Sequence, residues 1–369
     1  MQAKFNMMVI NVDLKEKAKN LTTAPGVYLM KDSLGNVIYI GKAKNLRNRV
    51  LTYFQNSRNF SPKVEKLIKN LKDFDHIVTD TEFEAFILEC KLIKKLKPTY
   101  NKLMKSPSSY TYIEIKNNEI FPSIGISDYL DENNGNIYFG PYRNKNTVER
   151  ALQGIRECYK ILCRNAMKKN STCLNYSLGL CVGICINELA TEYYKNVVRN
   201  IISFLNGNDL SILEDMNQKM KEASEKLDFE TAARYRDYIK SVNSLINNEK
   251  IIKFTKNNNN IVIIEPLNGN VIKIFLVKRN KILFSKKYML YSTDMKKLCN
   301  AIKKHILEYF SNNISPSPRN ITKDEIDEAQ IILNYLKSKP GQYAIIRQDW
   351  LMEKNSFHID KVIGKLLES

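Results

Sequence analysis

An α+β multidomain protein is what the sequence predicts, on three observations. Near the N-terminus, Gly26-Val27-Tyr28 and Tyr39-Ile40-Gly41 lie in β-type runs that flank the turn-rich Asp32-Ser33-Leu34-Gly35-Asn36. A polar stretch of helical period fills 189–248. Alternating β-type runs return from Ile261, followed by two more helical stretches. At 369 residues the chain has room for two to three cores. It divides into segments 22–102, 103–188, 189–250 and 251–369.

In the first segment the pattern predicts a hairpin, a helix over Lys44–Phe54, a helix over Lys63–Leu71, a strand over His76–Thr79 and a helix over Thr81–Leu96. Thr81-Glu82-Phe83-Glu84 is a capping box and fixes the start of that last helix. The second segment reads as irregular, with strands near Tyr112–Ile115 and Ile137–Tyr138. In the fourth, runs at 261–265, 271–278 and 281–285 form a meander, with helices near 294–310 and 323–336.

The formal net charge of +19 favours a polyanionic partner, with an overall lysine bias as the plain alternative. Distribution favours the partner. Nine basic residues and one acid, Glu65, lie between Gly41 and Lys72, with Tyr53, Phe54 and Phe60 among them. No run of about 18 apolar residues exists, and the first residues lack a signal-peptide core. A cytoplasmic protein with no membrane contact is expected, its seven cysteines being thiols or metal ligands.

If the hairpin turn is centred on Ser33-Leu34, Tyr28 and Tyr39 sit opposite each other on one face. Such a pair is either aromatic packing or a proton-handling pair. Arg49 and Tyr53 are i,i+4 on the next helix, where a guanidinium can stabilise a phosphate or simply be solvated. Glu89 shares its helix face with Ala85, Leu92 and Ile93. A carboxylate among aliphatics needs a cation, either Mg²⁺ or Mn²⁺ or a basic neighbour such as Lys42 or Arg49. Asn101 is a phosphate donor, an orienting group for a metal shell, or a turn residue.

Cys163, Cys173, Cys181 and Cys185 form C-x9-C-x7-C-x3-C. The spacing lacks the C-x2-C knuckles usual for zinc and suits an iron–sulfur cluster, zinc or unmetallated thiols remaining alternatives. Cys90, Cys158 and Cys299 read as core thiols. Phe229, Ala232, Ala233, Arg236 and Ile239 recur at helical steps, suggesting an antiparallel helical hairpin with Ser211–Ser224.

Together these strings carry a resemblance. Residues 25–32, 37–50 and 53–54, then 79–89, 92–95 and 98–101, closely resemble the GIY-YIG nuclease domain of the UvrC family. The resemblance implies that Tyr28 and Tyr39 are paired active-site tyrosines, Lys42 and Arg49 cationic members, Tyr53 an active-site aromatic, Glu89 the single ligand for Mg²⁺ or Mn²⁺, and Asn101 a polar member. It associates the four cysteines with a [4Fe–4S] cluster, although Ile184 stands where the family tends to have Pro. Residues 225–239 resemble the UVR motif, which implies contact with UvrB through Phe229, Ala233 and Arg236. Phe139-Gly140-Pro141-Tyr142 matches a further family motif.

The expected architecture is therefore a GIY-YIG α/β nuclease domain, a cysteine-rich irregular region, a UVR helical hairpin and a C-terminal α+β unit. The implied activity is metal-dependent hydrolysis of one DNA phosphodiester bond, on the 3′ side of a lesion presented by UvrB, in SOS-linked nucleotide excision repair. The resemblance weakens from Ile251, and neither the family's RNase H-like nuclease motif nor its helix-hairpin-helix pair is recognised, so one nuclease site is expected. A truncated product of a longer protein with the same N-terminal chemistry, a stand-alone GIY-YIG nuclease and a non-catalytic DNA- and UvrB-binding adaptor are the rival readings.

Overall fold

The computed structural model describes residues 13–55, 60–101, 110–116, 122–131, 133–161, 174–184, 186, 188–267, 269–290, 294–311, 322–352 and 355–368. The chain forms two compact units, one built from residues 1–106 and 254–369, the other from 107–253.

The first unit begins with helix α1 (13–19). Strands β1 (Gly26–Lys31) and β2 (Val37–Ala43) form the expected hairpin. Its register corrects the sequence expectation. Tyr28 pairs with Gly41 and Tyr39 with Met30, so the two tyrosines are diagonal, not opposite. The loop is the cause. Asp32 Oδ1 accepts from the Leu34 and Asn36 N–H groups at 2.9 Å each, and Gly35 takes a φ of 80°. The register then shifts between Met30 and Lys31. Strand β3 (Asp73–Val78) completes a sheet of order β2-β1-β3, leaving β2 at an edge.

Helices cover both faces of this sheet. Helix α2 (Leu46–Leu51), a 3₁₀ turn (Thr52–Phe54) and α3 (Pro62–Asn70) pack Leu46, Val50, Tyr53 and Leu67 with Tyr28 and Met30. On the other face, α4 (Glu82–Leu96) sets Ala85 and Ile93 against Val27, Leu29 and Ile40. The capping box at Thr81 and Glu84 is present. A second apolar stripe of α4, Phe83, Ile87 and Cys90, joins another core. That core comes from β7 (Asn260–Leu267), β8 (Val271–Lys278) and α11 (Lys323–Ser338). Lys273 of β8 pairs with Asp80 at 2.6 Å and Glu84 at 2.5 Å. Strands β9 (Lys281–Met289) and β10 (Tyr343–Ile346) complete a sheet of order β10-β7-β8-β9, backed by α10 (Met295–Ser311) and α12 (Phe357–Glu368). The sequence patterns predicted neither β10 nor α12.

In the second unit, the region read as irregular contains a sheet. Strands β4 (Thr111–Lys116), β5 (Ser123–Ser127) and β6 (Ile137–Tyr142) lie in order β5-β4-β6, and α5 (Lys145–Cys158) buries Val148, Leu152 and Ile155 in the core with Ile113 and Ile115. The short α6 (Leu174–Ser177) and α7 (Glu188–Leu205) precede α8 (Ser211–Glu225) and α9 (Phe229–Lys256). The last helix runs past the expected end at Asn248. Tyr142 donates to Glu249 at 2.6 Å and ties the Phe-Gly-Pro-Tyr strand to it. Among the described residues, no helix is long and apolar enough to cross a membrane.

Candidate active site

The hairpin register builds the site. Tyr28 faces the α2 side of the sheet, and its ring lies directly over Gly41. A Cβ at position 41 would come within 2.3 Å of the Tyr28 hydroxyl. Gly41 is therefore a steric requirement of the buried phenol. Gly41→Ala is expected to cost about 1–3 kcal/mol through overpacking, read as a lower urea midpoint; an unchanged midpoint would contradict this geometry.

Three phenols converge. The Tyr28 and Tyr53 hydroxyls are 2.8 Å apart, and the Tyr28 ring lies 6.1 Å from Tyr39 and 5.9 Å from Tyr53. Arg49 Nη2 donates to the Tyr53 hydroxyl at 3.4 Å, and the guanidinium sits 5.3 Å from that ring. Burial pushes the Tyr28 phenol well above its ordinary value, and its phenol neighbours add to this. Burial, Tyr53 and Glu89 together push Tyr39 up to about 12, against the opposing charge of Arg49. Burial pulls the Arg49 guanidinium down, but Tyr28 and Tyr53 outweigh it and leave it raised. In the protein alone, Tyr28 and Tyr39 thus keep their protons at neutral pH.

The free edge of β2 carries the rest of the site. An edge strand needs partners for its outward N–H and C=O groups. Tyr100 N–H donates to Ile38 O at 2.9 Å. Asn101 clamps Ile40, accepting from its N–H at 2.9 Å and donating to its carbonyl at 2.8 Å. The Lys42 N–H donates to Glu89 Oε1 at 3.0 Å. Asn101 thus spends both amide atoms on the strand that carries Tyr39.

Among the described residues the Lys42 ammonium makes no ion pair with Glu89. The Lys42 ammonium donates to Glu82 Oε1 at 3.1 Å and lies 3.1 Å from the Phe86 ring centroid. Glu82, Phe86 and Glu89 are one stripe of α4, a track for this lysine that helical spacing alone would have revealed. Among the described residues Glu89 has no ion pair. Burial raises its carboxyl, only partly offset by the Lys42 N–H and by the charges of Lys42 and Arg49. A half-buried carboxylate with one oxygen uncommitted suits a hard cation that completes its shell with water and substrate oxygens. No group of three or more His, Cys, Asp or Glu capable of holding a metal occurs among the described residues.

A cleft of about 340 Å³ opens against Tyr39, Arg49 and Tyr53 and is bounded beyond them by Phe60, Ser61 and Lys63. Of the four-cysteine set, Cys163, Cys173 and Cys185 lie outside the described residues. Cys181 is buried, with the Gly183 N–H 3.5 Å from its sulfur.

Residues 24–102 match the family model for the UvrC-like GIY-YIG domain, 110–204 the UvrC/Cho excinuclease middle domain and 211–245 the UvrB/UvrC motif. UvrABC system protein C of Alkaliphilus oremlandii is 33% identical over 91% of this chain, and that of Clostridium beijerinckii 35% over 91%. The counterpart from Clostridioides difficile is 34% identical over 93%. The chain spans about half the length of these relatives, 55%, 55% and 58% in turn. Among solved structures, the N-terminal GIY-YIG endonuclease domain of UvrC from Thermotoga maritima, bound to its catalytic magnesium, is 40% identical. That match covers 24% of this chain and 96% of the other, with a TM-score of 0.22. With three models matched in order and relatives aligned along nine-tenths of its length, this chain belongs to the UvrC family.

Proposed function

We propose that the chain is a metal-dependent DNA endonuclease of nucleotide excision repair, hydrolysing one phosphodiester bond beside a lesion. The observation that supports this most is the convergence of three phenols and Arg49 beside one cleft, with the Glu89 carboxylate, which has no ion pair among the described residues, close enough for its charge to raise Tyr39. Of the two signature tyrosines, Tyr39 borders the cleft, whereas Tyr28 is fully buried behind it with its hydroxyl on Tyr53. Tyr39 is thus the phenol placed to take a proton from an attacking water once its own proton has passed to solvent, a loss that the Arg49 charge and a cation held at Glu89 would favour, and Tyr28 and Tyr53 hold it in position. Arg49 stabilises the charge that builds on the phosphate oxygens. Asn101 and Gly41 act as positioning residues, fixing the strand and the phenol. Glu89 would hold Mg²⁺ or Mn²⁺, which supplies further positive charge at the scissile phosphate.

The test is a nicking assay. Full chain with UvrB and Mg²⁺ is expected to cut one strand of a lesion-bearing duplex, and chelation to abolish the cut. A duplex left intact under these conditions would reject the nuclease reading.

The UvrB contact is assigned to the α8–α9 hairpin. Tyr235, Tyr238 and Val242 point into the unit's core, while Leu227 at the turn and Phe229 beyond it are 73% and 66% exposed. Ala233 is half-buried and Arg236 exposed on this outward side. An exposed aromatic at a hairpin tip is the kind of anchor on which interfaces depend. Phe229→Ala is expected to weaken UvrB capture by roughly tenfold in a binding titration, and unchanged affinity would refute the assignment.

A further inference from the structure

The cleft beside the tyrosines extends beyond the residues that the chemistry needs. Its outer wall is Thr52, Phe60, Ser61 and Lys63. Among the described residues the lining holds two cations, Arg49 and Lys63, and no acid. Among the described residues neither cation has a carboxylate partner. The wall is also fixed in place. The Ser61 carbonyl accepts from the Val64 and Glu65 N–H groups at 2.8 and 3.1 Å, and Leu67 anchors the same helix in the core with Leu71 and Phe74.

We propose that this outer wall is a subsite for the nucleotide next to the scissile phosphate. Lys63 binds the flanking phosphate and Phe60 packs against its base or sugar. Volume decides the size of the occupant. About 340 Å³ lies at the small end of ligand pockets, which suits one nucleotide drawn from a strand and excludes a duplex. Charge decides its nature, since an acid-free lining with two unpaired cations selects an anion. The half-buried aromatic beside Lys63 selects an anion that carries a planar or apolar group, which a free phosphate lacks. The inference rests on the nuclease reading and extends it by one subsite.

The experiment compares the wild-type chain with Lys63→Gln, Lys63→Arg and Phe60→Ala for nicking and for equilibrium binding of a fluorescent DNA duplex across a salt series. Lys63→Gln is expected to raise KM and Kd about fivefold, leave kcat unchanged and reduce the slope of log K against log salt by about 1. Lys63→Arg restores both. Phe60→Ala is expected to raise Kd about tenfold with no change in salt slope. Lys63 is only half-buried, so its thermal midpoint serves as the control for folding. If wild type nicks but Lys63→Gln keeps wild-type Kd and salt slope, the subsite is overturned and the nuclease reading stands. If wild type does not nick, both fall.

Discussion

Replacing Glu89 by Gln is expected to lower nicking about 10³-fold while leaving the fold intact. A Gln oxygen can still accept the Lys42 N–H that Glu89 Oε1 now accepts at 3.0 Å, so the β2 edge stays closed. What disappears is the negative charge that would hold the cation. Electrostatic stabilisation by a bound divalent ion is worth several kcal/mol in the transition state, and each 1.36 kcal/mol is a factor of ten. Stability should move the other way. Burial raises the Glu89 carboxyl above its unfolded value, so in metal-free protein its ionisation opposes folding. The sign follows from proton binding: with the folded state holding the proton longer, stability falls as pH rises through the carboxyl range. Glu89→Gln removes that slope and should match or exceed wild type in thermal midpoint at neutral pH. Wild-type nicking by this variant would remove Glu89 from the metal role. A large loss of midpoint would instead make it a structural residue.

The sequence displayed the ingredients of this site more clearly than their arrangement. Local signals were read well where a local cause fixes them. The Thr81/Glu84 capping box and the hairpin are examples, because propensity and hydrogen bonds within a few residues decide both. The tyrosine register is not legible in the sequence because two one-residue shifts add up: the loop pairs Lys31 with Val37, one residue past the expected partner, and the irregularity after Met30 adds a second. No propensity marks such a shift, although Gly41 hinted at it: only a glycine fits under the Tyr28 ring. Strands β5 and β10 escaped for a different reason. Their stability comes from pairing with β4 and β7, distant or differently patterned partners, and not from their own alternation. The two apolar stripes of α4 were legible only in part. Helical spacing gave the Glu89 face, whereas the Phe83, Ile87 and Cys90 stripe has meaning only once β7, β8 and α11 lie against it.

That second stripe carries the other large expectation. Phe83→Ala should destabilise the first unit by about 3–5 kcal/mol, the usual cost of emptying a phenylalanine site in a packed core. Phe83 has no exposure to solvent; its ring meets Phe275 edge-on at 5.2 Å and Tyr335 at 4.6 Å. The substitution therefore removes two aromatic contacts as well as the transfer energy of the ring. For a unit of this size the thermal midpoint should drop by roughly 10 °C. The effect should reach the chemistry, because α4 is shared. The helix whose Phe83, Ile87 and Cys90 pack on β7 and β8 also presents Ala85 and Ile93 to the β2-β1-β3 sheet and carries Glu89. Loosening one side frees the helix to shift against the other, and a carboxylate displaced by 1 Å no longer meets its target geometry. Phe83→Leu keeps much of the volume and should cost less than half as much in both stability and nicking rate. Urea unfolding followed by circular dichroism separates the alternatives. A single transition at lower midpoint means that the C-terminal sheet and the nuclease sheet unfold together through α4. A transition that splits in two means that Phe83 is the main joint between them. A loss below about 1 kcal/mol would show that this core does not bear on the stability of α4.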